Sequence, residues 1–124
     1  MALLGAAASN REGPGGPLGI VAAMREELRA LLPLLQAPTL TRLGGRDFHA
    51  GTIHGRPVVL ALSGIGKVAA AATTCLLLDR FEARALLFTG VAGGLGSGVG
   101  VGDVVIASEL LQHDMDASPL FPRY

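Results

Sequence analysis

Residues 56–89 read RPVVLALSGIGKVAAAATTCLLLDRFEARALLFT. Two continuous apolar runs, Arg56–Leu62 and Ala85–Thr89, enclose a glycine-marked turn, Ser63-Gly64-Ile65-Gly66, and an alanine-rich helical stretch, Lys67–Phe81. Apolar runs without alternation mark strands covered on both faces. Strand, helix, strand in that order predicts a right-handed crossover within a largely parallel sheet flanked by helices. The helical stretch is apolar on nearly every face until Asp79, which predicts cover on more than one side. Cys75 in its middle reads as inert packing.

Upstream, Leu18–Ala22 (LGIVA) is another buried-strand run. Met24–Leu35 then switches to a helical period, with Met24, Leu28, Leu31, Leu32 and Leu35 on one face and Pro33 weakening the last turn. Thr39–Leu43, Arg46–Ile53 and Arg56–Leu62 read as an antiparallel meander, turning at Gly44-Gly45 and at His54-Gly55. Downstream, Gly90–Gly102 is glycine-rich and Val104–Ala107 is a further strand. Residues 1–16 read as a flexible leader ahead of one ordered region, residues 17–124. In sheets of this kind ligands bind at the carboxyl ends of the strands. That rule selects Ala22–Glu27, Ser63–Lys67 and Thr89–Gly94.

Composition narrows the function classes. The chain has 124 residues and a formal net charge of +0, which lacks the basic footprint of a nucleic-acid binder. One cysteine excludes an intramolecular disulfide framework and a cysteine zinc cluster. The uncharged run Ala85–Gly102 is broken by glycines and is not a membrane span, and the N-terminus lacks the basic start of a signal peptide. A cytoplasmic protein without a membrane partner is the expectation. Only 16% of residues are charged, against about 25% in an average domain. Such a surface is expected to be covered by a partner or by the rest of a larger domain.

The glycine-rich segments do not form nucleotide-phosphate loops. SGIGKVA lacks the first glycine of a Walker A loop, and Val68 stands where the magnesium-binding hydroxyl belongs. No GxGxxG occurs, so no dinucleotide cofactor is expected. His49 and His54 read as surface groups, and His113-Asp114-Met115-Asp116 is too small a ligand set for a metal site. Glu26 and Glu27 suit the first turn of a helix, where the dipole favours negative charge. Glu27 also lies where a general base could activate water. Backbone freed of Cβ atoms at Gly64, Gly66, Gly93 and Gly94 could approach a sugar or a flat purine closely.

Taken together, LGIVAAMREEL, LSGIGKVAAA and TGVAGGL…VGDVVIAS…HDMD resemble the N-terminal half of the 5′-methylthioadenosine/S-adenosylhomocysteine nucleosidases, a family of the nucleoside phosphorylase superfamily. The resemblance runs from Leu18 to about Phe121. It implies an α/β class, a three-layer nucleoside-phosphorylase-like fold on a central mixed twisted sheet, incomplete in this chain, with residues 17–124 as its N-terminal half. It implies hydrolysis of an N-glycosidic bond, releasing adenine, in methionine salvage. Glu27 matches the water-activating carboxylate. Met24 and Ile65 match apolar walls around the ribose and the 5′-thio group. Val91, Ala92 and Gly93 match the segment along the nucleoside, although some members carry Ser where Val91 stands. No cofactor or metal is implied. The small-molecule nucleoside is the expected partner, and the complete protein is expected to be a homodimer whose alkylthio pocket is completed by a neighbour through Leu120 or Phe121. The family's general acid, an Asp, and its ribose-binding Met-Glu pair belong to its C-terminal half, and neither Asp114 nor Asp116 matches them. A phosphorolytic relative and a non-catalytic nucleoside-binding or interaction fragment are the alternative readings.

Overall fold

The computed structural model describes residues 2–8 and 15–121. In chain order the elements are β1 (Ala2–Ala8), β2 (Leu18–Ala22), α1 (Arg25–Leu28), a 3₁₀ turn (Leu32–Leu34), β3 (Gln36–Leu43), β4 (Arg46–Ile53), β5 (Arg56–Leu62), α2 (Lys67–Arg80), β6 (Ala85–Val91) and β7 (Val104–Ala107). They build one seven-stranded mixed sheet of order β3-β4-β5-β2-β6-β1-β7. β3, β4 and β5 form the expected antiparallel meander, and β5, β2 and β6 run parallel.

Alternation along the parallel strands sends side chains to two faces. Ile20, Ala22, Val58 and Leu60 gather on one face with Leu28 of α1 and with Leu35. Val21, Val59 and Ala61 gather on the other with Phe48, Ala83 and Leu77 of α2. The sheet is therefore the middle of three layers. Phe48, fully buried, stacks on Phe81 at a ring separation of 4.9 Å. This fastens the meander to the end of α2.

Four expectations need correction. The helix expected over Met24–Leu35 is a single turn of α-helix and a 3₁₀ turn. Pro33 lies inside that 3₁₀ turn, where it supplies no N–H and blocks continuation of an α-helix. The leader is not wholly without structure: Ala2–Ala8 pairs antiparallel with β6 and parallel with β7, so its backbone groups find partners in the sheet. Residue 1 and residues 9–14 lie outside the described residues. α2 is covered on one stripe only, burying Thr73 and Leu77 and leaving Val68 85% exposed. Its alanines are too short to demand a second packing layer. Cys75 is exposed rather than packed, because two residues from both Thr73 and Leu77 places it on the far side of a 3.6-residue turn.

Candidate active site

The parallel strands β2, β5 and β6 end on the same edge of the sheet, and three connections meet there. β2 leaves through Ala23 into Met24, an extended residue that starts α1. Glu27, three residues on, turns its carboxylate back over this start. Its Oε2 accepts N–H bonds from Ala23 at 2.9 Å and Met24 at 2.8 Å. The other oxygen, Oε1, accepts from the Val91 N–H at the end of β6, 3.1 Å away. A sequence-local capping contact and a bond across 64 residues thus fix one side chain. A carboxylate has about four acceptor positions. Three are used here by described residues, and the one that remains is on Oε1, beside Val91.

β5 is followed directly by Ser63, which is buried. Its N–H donates to the Ala22 carbonyl at 2.9 Å, and its hydroxyl lies 2.8 Å from the Gly64 carbonyl and 3.2 Å from that of Ala22. This ties the ends of β5 and β2 together. The chain then turns through Gly64 and Gly66, at φ +78° and +113°, conformations that L side chains rarely adopt. The result is a cleft of about 260 Å³ lined by Ala23, Ser63, Gly64, Gly66, Lys67, Ala70 and Phe88. A larger cleft of about 410 Å³ is lined by Arg25, Arg29, Asp47 and His49 among others. It does not include Glu27, and its Asp47 is engaged by Arg42 at 2.7 Å. The smaller cleft, at the strand ends, is the one that suits ligand binding in a parallel sheet.

Of the residues singled out in the sequence, Met24, Glu27 and Val91 are brought together by hydrogen bonds. Ala92 and Gly93 follow Val91 directly. Ile65 sits on the β5–α2 turn, 80% exposed, and Val91 is 67% exposed. Phe88, outside the segments selected from the sequence, and Gly90, inside Thr89–Gly94 but given no role there, belong to the same group. Phe88 lines the cleft. Gly90 is buried, and a Cβ there would lie 3.1 Å from both Glu27 Oε1 and the Phe88 ring. Gly90 therefore allows the carboxylate to close on β6. Its signal was only the glycine that ends an apolar strand, a common strand exit.

The acidic HDMD segment takes no part in this cluster. Asp114 accepts a 2.6 Å bond from Lys67 at the start of α2, which holds its carboxyl below the usual aspartate value. Hydrogen bonds from Ser118 do the same for Asp116. Among the described residues no group of His, Cys, Asp and Glu could hold a metal ion, and no helix is long and apolar enough to cross a membrane.

Residues 17–124 match the family profile described as Phosphorylase superfamily. The chain belongs to the phosphorylase superfamily. This superfamily chain is 43% identical over 101 residues to a 5′-methylthioadenosine/S-adenosylhomocysteine nucleosidase of Aeromonas salmonicida, covering 82% of its own length and 44% of the relative's. It superposes on the S. pneumoniae nucleosidase solved with the transition-state inhibitor MT-ImmA at a TM-score of 0.83 and 44% identity, covering 87% of this chain and 47% of that one. The Colwellia psychrerythraea nucleosidase in complex with adenine superposes at 0.81, with 38% identity, over 87% of this chain and 48% of that one. The superfamily chain thus spans under half the length of the relatives it matches. The three-layer architecture and the nucleosidase resemblance agree with these neighbours.

Proposed function

We propose that this chain carries the water-activating side of a nucleosidase that hydrolyses the N-glycosidic bond of 5′-methylthioadenosine and S-adenosylhomocysteine. Glu27 is its general base. The observation that carries the reading is the Glu27 carboxylate, held by three backbone N–H groups with one acceptor position left on Oε1. A water bonded there gives its proton to the carboxylate as its oxygen attacks the anomeric carbon. The bond from that carbon to the purine nitrogen breaks, and its electron pair leaves with adenine. Positive charge that develops on the sugar is stabilised by the nearby carboxylate.

Met24 and Ile65 serve as apolar walls for the ribose and 5′-thio group. Val91, Ala92 and Gly93 lie along the nucleoside, Gly93 through its backbone. The small residues and open backbone there support this assignment. The departing adenine needs a proton from a general acid that these residues do not supply, since Asp114 and Asp116 are engaged elsewhere. In the complete protein the functional unit is a homodimer. Hydrolysis is favoured over phosphorolysis because Glu27 repels a phosphate dianion and Lys67 is already paired with Asp114.

The test joins this chain to the part of the Aeromonas salmonicida nucleosidase outside the matched 44% and follows adenine release from methylthioadenosine. Glu27→Gln lowers turnover by about 10²-fold or more, the scale of general base catalysis. Near-wild-type turnover removes Glu27 from the mechanism. A sugar 1-phosphate formed only with added phosphate overturns hydrolysis. The 124-residue chain alone, without a general acid, turns over slower than the joined protein by about 10² or more.

A further inference from the structure

Among the described residues, two polar side chains are buried, Ser63 and Thr73. The Thr73 hydroxyl donates to the Ala69 carbonyl of its own helix at 2.8 Å, a local bond that threonines in helices often make. Ser63 reaches across 41 residues instead. Its hydroxyl proton is shared between the Gly64 carbonyl at 2.8 Å and the Ala22 carbonyl at 3.2 Å. Strand pairing does not need the second of these bonds, because the Ser63 N–H already donates to the Ala22 carbonyl at 2.9 Å. A buried hydroxyl added to a satisfied ladder carbonyl calls for a use beyond the ladder.

That use lies at the other end of the same peptide unit. The Ala22 carbonyl and the Ala23 N–H belong to one planar group and point in opposite directions. The Ala23 N–H donates to Glu27 Oε2 at 2.9 Å. Two donors from Ser63 hold the carbonyl end, so the plane resists rotation and its N–H stays aimed at the carboxylate. Donors on a carbonyl also polarise the amide and strengthen its N–H as a donor. On its other side the hydroxyl meets the peptide that joins Gly64 to Ile65, in the turn where Gly64 takes φ +78°. One buried hydroxyl thus links the mount of the carboxylate to the turn that carries Ile65. Met24 and Val91 also donate to Glu27, through peptides other than the one Ser63 grips.

We propose that Ser63 is a positioning residue: through the Ala22–Ala23 peptide it fixes the orientation of the Glu27 carboxylate. Its effect on turnover rests on Glu27 being the general base, as proposed above.

Amide exchange and turnover test the two parts separately. Ser63→Ala removes the hydroxyl, and Ser63→Cys keeps its bulk but leaves a weak donor. In the 124-residue chain the Ala23 amide is expected to exchange about 10-fold faster in both variants, while Met24, Val91 and the amides of Val59 and Leu60 in the middle of β5 change by less than about threefold. In the protein joined to the remainder of the Aeromonas salmonicida nucleosidase, kcat for methylthioadenosine is expected to fall about 10-fold in both, with KM changed by less than about threefold. Unchanged Ala23 exchange, or faster exchange spread equally over Val59 and Leu60, would overturn the proposal. So would a cysteine variant that matches the unsubstituted protein in both measurements, since packing alone would then suffice. Full turnover by Ser63→Ala in a joined protein that Glu27→Gln disables would overturn it with the role of Glu27 intact. Turnover that survives Glu27→Gln would instead overturn the role of Glu27, and is told apart by Ala23 exchange that still responds to Ser63.

Discussion

The sheet has a finished side and an unfinished one. From β2 through β5 to β4 the core is closed, with the edge strand β3 largely exposed: Leu60 and Phe48 are fully buried, Leu28 seals one face and Leu77 the other. Beyond β6, the chain runs through glycine-rich loops and the short β7, and its large apolar residues face outward, with Ile106 77% and Leu120 82% exposed. The candidate active site lies on the seam. Glu27 comes from the finished side, and Val91, whose N–H it accepts, is the last residue of β6. At this seam the Glu27 carboxylate is fixed by backbone N–H groups, while the exposed apolar residues beyond Val91 lie open among the described residues.

The largest contrast should come from paired truncations. Phe48→Ala removes a fully buried ring and its stacking on Phe81, and is expected to cost about 3–5 kcal/mol in urea or thermal unfolding. Ile106→Ala removes a side chain of the same apolar class from the open region and is expected to change stability by less than about 0.5 kcal/mol. Equal costs would erase the distinction between the two sides.

The seam itself is probed by Gly90→Ala. The added Cβ meets Glu27 Oε1 and the Phe88 ring at 3.1 Å, so either the carboxylate or β6 must shift. In the protein joined to the remainder of the relative, turnover of methylthioadenosine is expected to fall about 10-fold or more, because small displacements of a positioned group are costly. Binding is expected to change less. A drop in melting temperature without a fall in turnover would show Gly90 to serve the strand and not the carboxylate.

The smallest effect concerns the tether of the open region. Asp114 is held below its ordinary aspartate value, 3.8, first by the hydrogen bond from Lys67. A carboxyl lowered by folding contributes stability above the unfolded value, and that contribution is lost as pH falls through the lowered one. Asp114→Asn is therefore expected to lower the melting temperature slightly at about pH 6 and to match the unsubstituted chain once the pH falls below the lowered value. Both groups are exposed, so the difference shrinks in high salt. A gap that persists at low pH would mean that Asp114 acts by something other than charge.

Much of the finished side is determined by sequence alone. Continuous apolar runs at Leu18–Ala22, Arg56–Leu62 and Ala85–Thr89 can be satisfied only by burial on both faces, and His54-Gly55 fixes the hairpin between β4 and β5. Glu27 was legible as a residue at a strand's carboxyl end. Period and propensity act over a few residues, so they carry these features completely. They could not decide which strands meet. That the Val91 N–H reaches Glu27, that Gly90 must lack a side chain, and that Ala2–Ala8 lies between β6 and β7 are matters of tertiary structure. The same holds for the overestimated reach of the first helix and for Cys75 and Val68 facing outward. In each case a local pattern allowed more than one surrounding, and only packing across the sheet, set by backbone groups seeking partners and side chains competing for one core, chose between them.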